Sequence, residues 1–143
     1  MSSLLQTKVI TVSIEATPER VYSFCADPRN LPTWIPSFAR GVDRVGDRWV
    51  VHTEAGDATW RFVDQNALGV LDHDIVLPDG TAVHNPLRVI ANGAGSTVSF
   101  TLFRRPGVTS DAYELDAKTI EGDLAQLKRV LEAPAAPSAS GAR

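Results

Sequence analysis

Three histidines, His52, His73 and His84, are the side chains of this sequence best suited to exchange a proton near neutral pH, since an unperturbed imidazole titrates at roughly pH 6.5. Strand alternation separates them. Over residues 69–77, Leu71, His73, Ile75 and Leu77 share one side, while Val70, Asp72, Asp74 and Val76 share the other, so His73 is expected inside and both aspartates outside. The string Asp72-His73-Asp74 is therefore no catalytic triad, because neighbours on a strand point to opposite faces. His73, Tyr113 and Asn85 form the candidate acid-base set; the plain alternative for His73 is a core histidine bonded to backbone or to Asn85. No HxH or HxxxH spacing occurs, and no metal or other cofactor is expected. The single cysteine, Cys25, excludes an internal disulfide, a Cys-rich zinc site and a two-cysteine redox pair. Gly93-Ala94-Gly95 precedes a strand and offers no helix N-terminus to a phosphate, and no GxSxG context marks a nucleophilic serine.

A second set of residues is apolar and aromatic. Phe24, Trp34, Phe38, Trp49, Trp60, Phe62, Leu71, Ile75, Leu87, Phe100, Ala117 and Ile120 are the candidates to line a cavity for a small hydrophobic molecule. The elements that must position them follow from periodicity. Tyr113, Ala117, Ile120, Leu124, Leu127 and Leu131 recur at steps of three and four, which predicts one long helix over residues 110–132, with Asp111 and Glu114 at capping-box spacing and Pro134 beyond its end. Residues 8–15 alternate as a half-buried strand. Thr17-Pro18 opens a short helix carrying Val21, Phe24 and Cys25; Asp27-Pro28 opens a second, made irregular by Pro32, whose Trp34 and Phe38 are expected at a rim or lid.

From Arg40 to Arg104, turn signals at residues 46–47, 56–57, 65–69, 78–80 and 92–95 divide the chain into six strands joined by links too short for crossover helices. Alternation turns Trp49, Val51, Trp60, Phe62, Val83, Asn85, Leu87, Val89, Val98, Phe100 and Leu102 inward. It turns His52, His84, Arg88 and Phe103 outward. Pro86, inside the expected strand 81–91, cannot donate to a ladder and predicts a bulge or bend.

With 143 residues, 43% hydrophobic and 22% charged, the chain has the composition of one globular domain, expected over residues 1–132, and residues 133–143 read as a disordered tail. A net charge of -3 offers nothing to nucleic acid or to an anionic membrane surface. No stretch is long and apolar enough for a membrane span, and residues 1–7 lack the features of a signal peptide, so a cytoplasmic location is expected, as a monomer or a homodimer.

The order strand, two short helices, six strands, long helix brings a resemblance into view. The run Ile14-Glu15-Ala16-Thr17-Pro18-Glu19-Arg20-Val21-Tyr22-Ser23-Phe24, then Asp27-Pro28 and Asn30-Leu31-Pro32-Thr33-Trp34, resembles the opening of the START-like superfamily (SRPBCC, Bet v 1-like), which includes bacterial polyketide cyclases and dehydrases. The run from Phe100 to Gly107 leading into the helix with Asp123-Leu124 is similar to bacterial members. The resemblance implies an α+β helix-grip fold: a curved seven-stranded antiparallel sheet wrapped around the C-terminal helix, with a cavity between. It implies binding of a lipid- or polyketide-like molecule. Two alternatives stand beside binding: a metal-free cyclase or dehydratase, a lyase or isomerase using acid-base residues of the cavity, and a structural or partner-binding module whose core is filled.

Overall fold

The computed structural model describes residues 3–134, so most of the expected tail at 133–143 lies outside the described residues. The elements are β1 (Thr7–Ile14), α1 (Pro18–Ala26), a 3-10 turn (Pro28–Asn30), α2 (Leu31–Trp34), β2 (Gly41–Val45), β3 (Arg48–Thr53), β4 (Gly56–Phe62), β5 (His73–Val76), β6 (Ala82–Asn85), β7 (Leu87–Asn92), β8 (Gly95–Phe103) and α3 (Ser110–Glu132). The helix starts follow from their caps. Thr17 accepts from the Arg20 amide with Pro18 in the first turn, and Asp27 accepts from the Arg29 amide. The N-cap of α3 is Thr109, which accepts from the Ala112 amide, rather than the Asp111 and Glu114 pair expected from spacing.

The strands are all antiparallel, but they form two sheets rather than one of seven strands: a three-stranded sheet ordered β1-β8-β7 and a five-stranded sheet ordered β2-β3-β4-β5-β6. The division falls at Pro86. The expected strand at 81–91 breaks there, β6 pairing with β5 on one side of it and β7 with β8 on the other. No residue is inserted at the break. The Leu71 amide donates to the Leu87 carbonyl and the Val89 amide to the Gly69 carbonyl, in the same register that opposes His73 to Asn85 in the β5–β6 pair. The expected bulge is thus an interruption of bonding without a change of register, and His84 and Arg88 stay on the outer face.

Asp72 holds this junction. Its carboxylate accepts from the Leu87 amide at 2.9 Å and from the Arg88 guanidinium at 2.9 and 2.8 Å, taking the place of a strand carbonyl beside the proline. The expectation that Asp72 is exposed is corrected by this contact: it lies on the outer side, covered by Arg88, with 8% of its surface accessible. Gly69 permits the approach, since at its φ of 76° a Cβ would strike the Val89 carbonyl oxygen.

Helix α3 buries Tyr113, Ala117, Leu124, Leu127 and Leu131 in a core shared with Ile10, Ile14, Leu87, Val98 and Leu102 of the strands and Val21 and Cys25 of α1. Each fully buried leucine of this set contributes about 1.5–3 kcal/mol. Polar ties fix the far end of α3: Arg20 donates to the Leu131 carbonyl at 2.8 Å, and Glu132 accepts from the Glu15 amide at 2.8 Å. Among the described residues no helix is long and apolar enough to cross a membrane. Replacing Asp72 by Ala orphans the buried Leu87 amide and leaves the half-exposed Arg88 guanidinium to water, and urea denaturation is expected to show a loss of about 1–3 kcal/mol, with Asp72→Asn losing less because its oxygen still accepts from Leu87.

Candidate functional site

Between the two sheets and α3 lies a cavity of about 620 Å³. Its sheet walls come from Trp60 on β4, His73 and Ile75 on β5, Val83 and Asn85 on β6, and Phe100 and Leu102 on β8. The helix wall is Asp116, Thr119, Ile120, Asp123 and Leu124 of α3. The segment following α2 closes one side with Ile35, Ser37 and Phe38 beside Trp34, and Leu5, Phe103, Arg105 and Val108 complete the rim. Phe103, expected outward by alternation, reaches the cavity where β8 ends.

Of the sequence-derived candidates, the structure brings together His73, Asn85, Trp34, Phe38, Trp60, Ile75, Phe100 and Ile120 around this space. Leu71, Leu87 and Ala117 are buried core residues away from the lining, and Phe24 packs against that core. Phe62 contacts the site indirectly, edge-on to Trp60 at 5.9 Å and to His73 at 5.5 Å. Trp49, the second residue of β3 and the partner of Trp60 across the β3–β4 pair, lies outside the lining with Arg44 over its ring at 5.5 Å. Tyr113 is 1% exposed, its hydroxyl donating to the Leu102 carbonyl at 3.4 Å; it sits one turn too early on α3 to reach the cavity.

His73 is clamped. Its ring stacks on Trp60 with centroids 4.3 Å apart and planes 15° from parallel. Nδ1 donates to the Leu71 carbonyl at 3.0 Å, which leaves Nε2 as the acceptor, 3.4 Å from the Asn85 amide nitrogen. Burial lowers its pKa to about 4, against the smaller opposing effect of the Leu71 bond, so the ring is neutral at pH 7 and a weak base. The indole nitrogens of Trp34 and Trp60 are both buried without a hydrogen-bond partner among the described residues.

Asp123 behaves in the opposite way. Burial in the cavity wall pushes its carboxyl up to about 6, opposed by a hydrogen bond from the Ser37 hydroxyl at 3.1 Å. Periodicity carried a signal for it: Asp116, Ile120, Asp123 and Leu127 recur at steps of four, three and four on the inner side of α3. The other titratable groups lie elsewhere. His52 is exposed, bonded to Asp43 at 2.6 Å and Asp57 at 2.7 Å, contacts that raise its pKa, and the His84 ring meets Asp74 at 2.6 Å on the outer face. The Cys25 thiol, buried in the core, is pushed up to about 12. Among the described residues no group of three or more His, Cys, Asp or Glu side chains could hold a metal ion.

A carboxyl at about 6 keeps a proton that the unfolded chain gives up near pH 3.9, so folding stability drains away as pH rises between those values. Asp123→Asn removes this dependence while keeping an oxygen for Ser37. The variant's melting temperature is expected to gain on wild type progressively from pH 4 to pH 6 and to hold its advantage above that; a difference independent of pH would contradict the buried carboxyl.

Comparison with known proteins agrees with this architecture. Among solved structures, the chain is similar to the protein XoxI from Bacillus cereus (TM-score 0.71, 16% identity, covering 90% of this chain and 97% of that one). It is similar also to a START superfamily protein from Mycobacterium smegmatis (TM-score 0.68, 16% identity, 88% and 97%) and to Ara h 8.0201 (TM-score 0.67, 12% identity, 91% and 99%). At these identities the likeness is one of fold. No curated protein sequence matches. The sequence pattern of the family described as polyketide cyclase / dehydrase and lipid transport spans residues 7–132, and the chain belongs to that family, within the START-like superfamily.

Proposed function

We propose that this chain binds an apolar, aromatic or lipid-like small molecule in the cavity between its sheets and α3. The observation that carries the reading is the cavity itself: about 620 Å³, within the range of roughly 300–1,000 Å³ usual for small-molecule sites, and walled by Trp34, Phe38, Trp60, Ile75, Phe100 and Ile120. Such a space is hard to reconcile with a purely structural module, because an unfilled apolar volume forfeits dispersion contacts that a close-packed core would make.

A second reading, proton-transfer catalysis of the cyclase or dehydrase kind, is favoured by one specific group. Asp123, at about 6, can both give and take a proton near neutral pH, and it lines the cavity. This moves the catalytic emphasis away from His73, which is too weak a base, and from Tyr113, which does not reach the cavity. General acid-base help of this kind contributes about 100-fold to 10,000-fold, the rest coming from holding a folded substrate away from water.

The binding reading is tested with N-phenyl-1-naphthylamine, a neutral dye whose emission rises in apolar surroundings. Saturating dye is expected to brighten and to raise the melting temperature, and Ile120→Trp, which fills the lumen, should abolish both effects while melting within a few degrees of wild type in the absence of dye. Equal dye binding by wild type and Ile120→Trp would place the dye elsewhere and remove the support for this reading.

A further inference from the structure

We propose that the ligand of this cavity is an apolar alcohol or phenol whose hydroxyl is held between His73 Nε2 and the side-chain amide of Asn85. The inference rests on the binding reading above and adds the chemical class that the site selects. Its basis is a polar pair placed by strand register in an otherwise apolar wall: His73 on β5 and Asn85 on β6 are directly opposed, and both line the cavity.

The hydrogen-bonding character of each partner is fixed. With Nδ1–H committed to the Leu71 carbonyl at 3.0 Å, the imidazole can offer only a lone pair at Nε2. Stacking on Trp60 and the edge contact with Phe62 keep the ring from turning, so the lone pair is held in place before any ligand arrives. The sole partner of Nε2 among the described residues is the Asn85 amide nitrogen at 3.4 Å, longer than the usual N–H bond length of about 2.9–3.0 Å. A better acceptor can therefore take the Asn85 proton at little loss.

Comparing polar groups by their donors and acceptors narrows the choice. A hydroxyl donates to Nε2 and accepts from the Asn85 amide at the same time. A carboxylate has no proton for Nε2 and would be desolvated in a cavity whose helix wall carries Asp116 and Asp123. An ammonium can donate but not accept, and an ether or ketone can accept but not donate. Rejection of a ligand lacking the hydroxyl arises because the buried imidazole and amide are then left with only their long mutual contact.

The test uses four probes of one ring system measured by calorimetry: 2-naphthol, 2-methoxynaphthalene, naphthalene and 2-naphthoate. Wild type is expected to bind 2-naphthol about ten-fold or more tightly than each of the other three. His73→Phe, which keeps a flat ring against Trp60, and Asn85→Leu should each reduce that preference several-fold, read as the ratio of 2-naphthol to naphthalene affinity within the same variant. Equal binding of 2-naphthol and naphthalene overturns the hydroxyl anchor and leaves the binding reading intact. Equal binding of 2-naphthol and 2-methoxynaphthalene, both above naphthalene, overturns it in favour of an anchor that only donates. If none of the four binds, the cavity reading falls along with the inference. The wild-type ranking decides the matter even if His73→Phe fails to fold, and Asn85→Leu supplies the second variant.

Discussion

The fold depends on a strand interrupted at one residue. Pro86 lies where a continuous strand would otherwise run: the β5–β6 ladder ends at Asn85, the β7–β8 ladder starts at Leu87, and the Leu87 amide, which the register aims at the Leu71 carbonyl, bonds Asp72 instead. The two sheets can then diverge while the chain keeps its register, and the cavity lies between them and α3. Such a break would be costly without compensation. Asp72 provides it by accepting from Leu87 and Arg88, so a side chain substitutes for the missing piece of ladder. Opening the sheet and stabilising the opening are the work of residues outside the cavity.

Within the cavity, burial acts on two titratable groups and moves them in contrary directions. His73 is lowered and stays neutral, so its value to a ligand is a fixed lone pair rather than a proton. Asp123 is raised toward neutrality, because the same loss of water penalises a carboxylate, and the Ser37 hydroxyl only partly offsets the penalty. The bond from Ser37 also ties the segment after α2 to α3, as does the bond from Gln126 to the Thr33 carbonyl at 3.3 Å. Trp34 and Phe38 are thus held over the cavity by polar contacts with the helix wall.

Much of this was legible from local pattern. The stripe from Tyr113 to Leu131 gave α3 with its limits, and period-two alternation placed His73, Asn85, Trp60 and Phe100 on the inner face because most strands here have one dry side. What alternation could not reveal is how far across the sheets the cavity extends. Trp49 pairs with Trp60 yet lies outside the lining, and Tyr113 has the right stripe yet is buried with its hydroxyl on the Leu102 carbonyl of β8. The depth of Asp72 was also hidden, since its burial comes from Arg88, sixteen residues away. Asp123 is not legible as a site residue because a carboxylate on an apolar stripe reads as the polar margin of a helix until the opposing wall is known to recede. The two sheets part at Pro86, which marked the right place in the sequence but did not say whether a residue was inserted there.

The central claim is that this recessed space, and no other part of the surface, receives the ligand. The three tryptophans provide an internal test, since Trp34 and Trp60 line the cavity and Trp49 does not. In a ¹⁵N-labelled sample titrated with 2-naphthol, the indole N–H resonances of Trp34 and Trp60 are expected to shift together along one saturable isotherm while that of Trp49 stays in place. Movement of Trp49 with Trp34 and Trp60 unmoved would contradict the account.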